Sequence, residues 1–143
     1  ITISKYWRQW SDPRLIVMVL NNGDLSQVTW EGRVQMGEGK TESTQAIPDF
    51  PYHRYAELLA LKGIRVEDPE QVGAAWDAAL AADRPVILDC VTGPDVPPLP
   101  PHITPKEAQN FMRMARNEPE LGSVLVNTAR QLLSKVLPGH KAS

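Results

Sequence analysis

Apolar strand-like segments alternate with segments of helical periodicity along this chain. Residues 15–20, 63–67 and 85–91 are predicted as strands, and the last is nearly continuously apolar, which is typical of a parallel sheet. Apolar residues at helical spacing predict helices near 2–10, 51–62, 69–82, 104–116 and 119–137. This alternation indicates an α/β fold, in which a parallel sheet carries flanking helices and is followed by a C-terminal helical extension.

The predicted helix ends have recognisable cap residues. Asp68 and Thr104 each precede a proline and, three places on, a Gln or a Glu, which is the pattern of a capping box. Asp49 is expected to cap the helix near 51–62, and Gly63 to stop it. In the helix near 69–82, Trp76 has the spacing of a core residue.

Residues 21–50 form a long connection rich in Gly, Ser, Thr and Gln. Connections of this length are usually functional or disordered, so we expect residues 23–46 to be irregular or mobile. The connection opens with Asn21 and Asn22, directly after the first strand. Two Asn residues at that place are ordinary turn chemistry, but they also offer neutral oxygens to a hard cation such as Mg²⁺. Ligands of open α/β sheets gather at this end of the strands.

The amino-acid composition argues against several classes of protein. The net charge of -2, from 15 basic and 17 acidic residues, gives no basic surplus for binding nucleic acid. A single cysteine, Cys90, excludes an internal disulfide framework and favours a reducing, cytoplasmic location. No stretch approaches the roughly 20 apolar residues of a membrane span. Prolines crowd into residues 94–101, which predicts a boundary between a domain over 1–93 and a connector with helices over 94–143.

The sequence shows no recognisable set of catalytic side chains. No Gly-rich phosphate loop is present, so a Rossmann or P-loop function has no support. His53, His102 and His140 lack the spacing of metal ligands and are expected to be solvated. Cys90 is expected to be an inert packing thiol in a strand, and Asp89 either a ligand or, as we favour, an ordinary loop acid.

Several segments, in order, resemble the thiamine diphosphate-dependent enzymes. Val-Leu-Asn-Asn-Gly-Asp at 19–24 resembles the second half of the thiamine diphosphate fingerprint, a strand that ends in Asn-Asn. Further similarity follows at 47–58, 63–66 and 84–89. Residues 99–108 resemble the tail of the pyruvate oxidase branch, close to acetolactate synthase. The resemblance implies a partial thiamine diphosphate-binding fold.

The resemblance also implies roles for four residues. Asn22, through its side-chain oxygen, and Asp24, through its main-chain carbonyl, would bind Mg²⁺ that bridges the diphosphate of the cofactor. Glu31 holds the place of a glutamate near the reacting centre. Val28 matches an apolar residue that shapes the pocket under the thiazolium. Gln27 departs from the family pattern, so substrate choice does not transfer.

The first half of the fingerprint, Gly-Asp-Gly, does not occur in the chain, which opens at Ile1 without a helix start signal. We therefore expect a piece of a longer enzyme that is inactive alone. The resemblance implies a parent that decarboxylates a 2-keto acid such as pyruvate, with oxidation or carboligation, as a homodimer or homotetramer. It leaves open whether the parent binds FAD. A noncatalytic α/β binding or interaction module is the alternative.

The C-terminal helix has two interpretations. In the quinone-linked branch of the family this segment engages a membrane, and residues 119–137 have an amphipathic pattern. Their cations are sparse for an anionic lipid surface, so packing against the parent enzyme is favoured over membrane contact.

Overall fold

A computed structural model describes residues 1–96, 104–116, 118 and 121–136. The residues fall into two compact units, one made of 1–22 with 48–92 and the other of 23–47 with 93–143. The helices are α1 (Thr2–Tyr6), α2 (Ser26–Glu31), α3 (Glu42–Gln45), α4 (Tyr52–Leu58), α5 (Val72–Leu80), α6 (Pro105–Met114) and α7 (Leu121–Val136). Short 3-10 helices cover Trp7–Gln9 and Pro69–Gln71, and a π-helix covers Gly32–Met36.

The first unit contains a parallel sheet of three strands. They are β1 (Ile16–Asn21), β2 (Lys62–Val66) and β3 (Val86–Val91), in the order β1-β3-β2. Both outer strands run parallel to β3. The predicted α/β fold with a parallel sheet and flanking helices is therefore confirmed, and each strand begins within one residue of its predicted start.

The core of the first unit lies between the sheet and α5. Its buried residues are Val66, Ala75, Ala79, Val86 and Leu88. Trp76 was expected in this core, and that expectation is wrong, because its side chain is 38% exposed. The face of α5 that is buried is the alanine face, whose small side chains leave room for β2 and β3. Helical spacing identified the helix, but not which of its two apolar faces packs inward.

The ends of α4 differ from the prediction. Its N-cap residue is Pro51, without a side-chain cap bond, so Asp49 is not the cap. The chain turns after the helix at Ala60, which has a positive φ of 58°, rather than at Gly63. Gly63 lies in β2, where an added Cβ would stand 2.0 Å from the carbonyl oxygen of His53. The glycine is there for close approach of two backbone segments, not for helix termination.

In the second unit, residues 23–46 are not irregular throughout, contrary to expectation. Helix α2 continues directly into the π-helix, and α3 follows. Trp30 is buried with Met114 and Val124, and Val34 and Phe111 pack against them. The rings of Trp30 and Phe111 stack with centroids 6.5 Å apart. Tertiary packing of this kind stabilises short helices that local sequence alone does not predict.

Helix α6 starts with the predicted capping box. Both of its reciprocal bonds form between Thr104 and Glu107. Near the other end of α6, Asn110 donates to the carbonyl of Gln35 at 2.6 Å, and Arg113 donates to the carbonyl of Met36. These side chains thus satisfy carbonyls in the last turn of the π-helix, which its own backbone leaves without helical partners.

Some predictions fall on residues outside the described ranges. They concern His102, His140 and the central prolines of 94–101. The predicted extremes of the last helix, at 119 and 137, also lie there. Among the described residues, no helix has the length and apolar character needed to cross a membrane.

Candidate functional site

The Asn pair lies at the carboxyl end of β1. Asn21 is the last residue of the strand, and Asn22 is the half-buried residue that follows it. The backbone carbonyl of Asn21 accepts a hydrogen bond from the N–H of Thr92 at 3.0 Å. Because β1, β2 and β3 are parallel, their carboxyl ends share one edge of the sheet, where ligands of such folds bind.

A buried carboxylate occupies the same edge of the sheet. Asp89 lies in the central strand β3, and its side chain is 0% exposed, so the interpretation of Asp89 as an ordinary loop acid is wrong. Its Oδ1 accepts from the side-chain nitrogen of Asn21 at 3.1 Å. Its Oδ2 lies 2.7 Å from Nδ1 of His53 and 3.4 Å from Nη1 of Arg65. A donor from each neighbouring strand and one from α4 therefore converge on Asp89.

His53 is not the solvated imidazole that its sequence position indicated. Its side chain is 19% exposed and is held to Asp89 through Nδ1. The backbone N–H of His53 also approaches Asp89 Oδ2, at 3.4 Å. His53 is in the first turn of α4, 36 positions before Asp89, so the pair forms only when α4 packs against β3.

Arg65 links Asp89 to two exposed acids. Its Nε donates to Glu67 at 2.7 Å, and its Nη2 lies 3.7 Å from Asp49. The hydrogen bond to Glu67 outweighs a smaller effect of burial, and the pKa of Arg65 is raised. Asp49 also accepts from the side chain of Asn21 at 3.2 Å. The expected helix cap is thus a member of the polar cluster at the sheet edge.

The electrostatics of the edge favour an ionised Asp89 beside a protonated thiol. Burial by itself would raise the pKa of Asp89, but hydrogen bonds from His53 and Asn21, and the charge of Arg65, lower it below the ordinary value. Burial and the charge of Asp89 raise the pKa of Cys90. Cys90 therefore stays protonated at neutral pH, in keeping with an inert packing thiol.

Asp24 belongs to the second unit and is 5% exposed. Its Oδ2 accepts from the hydroxyl of Thr29 at 2.7 Å, and its Oδ1 lies 3.3 Å from Nζ of Lys40. Burial opposes the charge of Lys40, yet its ion pairs with Glu42 and Asp24 prevail and raise its pKa. The carboxylate of Asp24 is thereby engaged inside its own unit, and the predicted metal contact requires only its main-chain carbonyl.

The other two candidate residues lie on α2. Val28 is 51% exposed, and Glu31 is exposed with its carboxylate 3.2 Å from the side-chain nitrogen of Gln27. Residues three apart on a helix share a face, so Val28 and Glu31 present an apolar and an acidic group side by side. Gln27, the residue that departs from the family pattern, contacts the candidate glutamate directly.

Sequence reasoning missed a buried charge cluster in the second unit. The side chain of Arg33 is 0% exposed, and its Nε donates to the fully buried Glu118 at 3.1 Å. Its Nη2 lies 3.7 Å from Asp95, and its guanidinium stands 4.7 Å from the centre of the Trp30 ring. Glu118 also accepts from the backbone N–H of Lys40 at 3.2 Å. No local pattern marks these partners, because they are up to 85 positions apart.

The donor groups present suit a hard cation only in part. Within the described ranges, no three His, Cys, Asp or Glu residues are grouped to hold a metal ion. The carboxamide oxygen of Asn22 and the carbonyl of Asp24 are neutral oxygen donors of the kind that Mg²⁺ accepts beside a phosphate. By their chemistry, these are the two residues that would hold the Mg²⁺ expected from the sequence.

Comparison with known proteins identifies the family of this chain. Residues 11–90 match the family described as thiamine pyrophosphate enzyme, C-terminal TPP binding domain. A Bacillus subtilis (strain 168) protein, YdaP, named as thiamine pyrophosphate-containing, is 32% identical over 99 residues, which are 69% of this chain and 17% of that protein. The mitochondrial acetolactate synthase catalytic subunit of Aspergillus candidus is 31% identical over 84 residues, 59% of this chain and 12% of that protein.

The chain thus spans about a sixth of one relative and an eighth of the other. The family match covers more than half of the chain and includes the Asn pair, β1, β2 and all of β3 but its last residue. The acetolactate synthase relative is consistent with the branch expected from the sequence. The chain belongs to the thiamine pyrophosphate enzyme family and contains its C-terminal cofactor-binding domain in part.

Proposed function

We propose that this chain is part of a thiamine diphosphate- and Mg²⁺-dependent enzyme that acts on a 2-keto acid such as pyruvate. The reaction is a decarboxylation followed by oxidation or carboligation, and the isolated chain is inactive. The observation that carries the proposal is the Asn pair at the carboxyl end of β1, inside the region that matches the family. The similarity to an acetolactate synthase subunit supports a 2-keto acid as substrate.

The first task of this chain is to hold the metal. The side-chain oxygen of Asn22 and the main-chain carbonyl of Asp24 would hold Mg²⁺, which would neutralise the charge of the diphosphate of the cofactor. The half-buried place of Asn22 limits the freedom of its carboxamide, which favours binding of a metal in one geometry.

The second task is to shape the space around the reacting centre. Thiamine diphosphate supplies, when bound, the nucleophilic carbon and the electron sink that decarboxylation of a 2-keto acid requires. Val28 would provide an apolar contact to the bound cofactor, and Glu31, on the same face of α2, would provide a carboxylate that holds or moves a proton. The contact between Gln27 and Glu31 orients that carboxylate.

Other properties of the proposed enzyme lie beyond this chain. We propose that the remainder of the parent chain supplies the Gly-Asp-Gly half of the fingerprint, and that the enzyme is a cytoplasmic homodimer or homotetramer. FAD in another domain of the parent would fit the oxidase branch. We also propose that the cofactor-binding part ends near residue 93, that the C-terminal helix packs against the parent enzyme rather than a membrane, and that the enzyme does not bind nucleic acid.

The test compares the full-length protein with the 143-residue chain. Release of CO₂ from pyruvate and from 2-oxobutanoate is measured with thiamine diphosphate and Mg²⁺, and again with EDTA. We expect turnover by the full-length protein that needs both additions, and none by the chain. A full-length protein that neither binds the cofactor nor consumes any 2-keto acid would instead support the noncatalytic module. An absorbance scan shows whether the full-length protein binds flavin.

A further inference from the structure

The polar side chains at the carboxyl edge of the sheet form more contacts than a single metal-binding asparagine would need. Asp89, Asn21, His53 and Arg65 belong to the first unit, as does Asn22. Asp89 is fully buried and takes bonds on both carboxylate oxygens. Burial of a charged carboxylate costs free energy unless the carboxylate is paired. Asp89 in the central strand therefore requires specific hydrogen-bond partners.

Asn21 is the partner that joins Asp89 to the candidate metal ligand. Its side-chain nitrogen lies 3.1 Å from Asp89 Oδ1 and 3.2 Å from Asp49 Oδ1, and 3.4 Å from the carbonyl of Phe50. All three neighbours are acceptors, so the nitrogen of the carboxamide, and not its oxygen, must face them. Together with the backbone bond from Thr92, these contacts hold the residue that precedes Asn22.

His53 and Arg65 hold the opposite side of the carboxylate. The 2.7 Å contact to His53 Nδ1 and the 3.4 Å contact to Arg65 Nη1 both fall on Oδ2. The plane of the Asp89 carboxylate is therefore fixed from α4 and β2, while Oδ1 is directed at Asn21. Some residues orient a metal ligand by a hydrogen bond without touching the metal. Removal of such a residue commonly weakens metal binding about 10-fold to 100-fold.

We propose that Asp89 is a positioning residue that acts through Asn21 to orient the Asn22 carboxamide, with His53 holding Asp89 in place. This inference rests on the proposed function of Asn22 as a Mg²⁺ ligand. It assigns a role to His53, an imidazole that would otherwise be a helix-surface residue, and it divides the Asn pair into one residue that positions and one that binds.

The test is a double-mutant cycle in the full-length protein without substrate. Thiamine diphosphate binding is titrated against Mg²⁺ by tryptophan fluorescence and calorimetry in Asp89→Asn, Asn22→Ala and the double variant. Asp89→Asn replaces one of the two acceptor oxygens by an NH₂ donor, so either Asn21 or the pair His53 and Arg65 loses its acceptor. We expect it to raise the half-saturating Mg²⁺ concentration about 10-fold. If Asp89 acts through Asn22, the double variant binds as Asn22→Ala does, because the two effects are not additive.

Further variants test the inference independently in case Asp89→Asn does not fold. Asn21→Ala removes the side chain through which Asp89 is proposed to act, but Asp89 keeps its bonds to His53 and Arg65. We expect the same rise in the half-saturating Mg²⁺ concentration. His53→Asn keeps a donor near the position of Nδ1 and should restore most of the affinity that His53→Ala loses. Asp77→Asn is the matched control, because Asp77 is an exposed acid of α5 outside the polar cluster, and its Mg²⁺ requirement should not change.

Failure of the inference and failure of the proposed function give different results. If Asn22→Ala weakens Mg²⁺-dependent binding while folded Asn21→Ala binds like wild type, the positioning role is wrong and the metal ligand stands. Full additivity in the double variant would also overturn the positioning role. If Asn22→Ala itself has no effect, Asn22 is not a ligand, and both claims fall.

Discussion

The buried Arg33 provides a quantitative test of how the second unit is held together. Its side chain is fully buried, with Glu118 at 3.1 Å and Asp95 at 3.7 Å. Arg33→Met keeps most of the apolar volume but leaves the fully buried Glu118 without its guanidinium partner. Removal of one member of a buried ion pair typically costs about 3–5 kcal/mol, because the remaining charge is uncompensated. The lost stacking of Arg33 on Trp30 adds to that cost.

The assay is thermal unfolding of the chain, followed by tryptophan fluorescence, to which the buried Trp30 contributes, and by circular dichroism. At about 2–4 °C per kcal/mol for a domain of this size, the loss lowers the midpoint of unfolding by roughly 6–20 °C. Arg54→Met, at an exposed arginine of α4, is the matched control and should change stability by no more than about 0.5 kcal/mol.

A double variant tests whether the loss of stability comes from the uncompensated charge of Glu118. Arg33→Met combined with Glu118→Gln removes both charges, so it should recover part of the stability that Arg33→Met loses. If Arg33→Met unfolded within about 1 kcal/mol of wild type, the guanidinium would not carry a buried charge. If the double variant were as unstable as the sum of the two single variants, the loss would come from packing instead.

Three further predictions concern local backbone and capping. Ala60→Gly should stabilise the chain by up to about 1 kcal/mol in urea unfolding, because the positive φ of 58° strains alanine and the unfolded-state entropy of glycine offsets only part of the relief. Gly63→Ala should destabilise by at least about 1–3 kcal/mol, because its Cβ meets the backbone of His53. Hydrogen bonds from Thr104 lower the pKa of Glu107, so the charged carboxylate stabilises α6 above the ordinary pKa, and this contribution is lost as the pH falls through the lowered pKa. The stability difference between wild type and Glu107→Gln should therefore shrink between pH 6 and pH 3, and no shrinkage would show that the cap bond does not form.

Much of the fold is predictable from local sequence. Residues 15–20 and 85–91 are apolar runs of strand length, and Thr104 begins a helix with a capping signal that needs no tertiary context. The structure of residues 26–36 was not predictable, because those helices depend on burial of Trp30 against Met114 and Val124 far along the chain. The inward face of α5 was not predictable either, since both faces are apolar and only packing selects the alanines.

The candidate site was predictable to a similar extent. The sequence placed Asn21 and Asn22 at a strand end, and a parallel sheet brings such ends together. That rule also places Arg65 and Asp89 near them, a signal that the interpretation of Asp89 as a loop acid overlooked. The contact of His53 with Asp89 depends on how α4 packs against the sheet, and no spacing in the sequence encodes that arrangement.

The most direct test of the account is the contribution of Asn22 to Mg²⁺-dependent cofactor binding. Thiamine diphosphate is titrated by calorimetry into the full-length protein and its Asn22→Ala variant at limiting and saturating Mg²⁺, with Asn127→Ala as a control on α7. The account predicts that Asn22→Ala binds the cofactor at least about 10-fold more weakly at limiting Mg²⁺ while its unfolding midpoint is unchanged, since one oxygen is lost from the metal shell. If the variant bound the cofactor as tightly as wild type at limiting Mg²⁺, Asn22 would be a turn residue and the assignment of the metal site would be wrong.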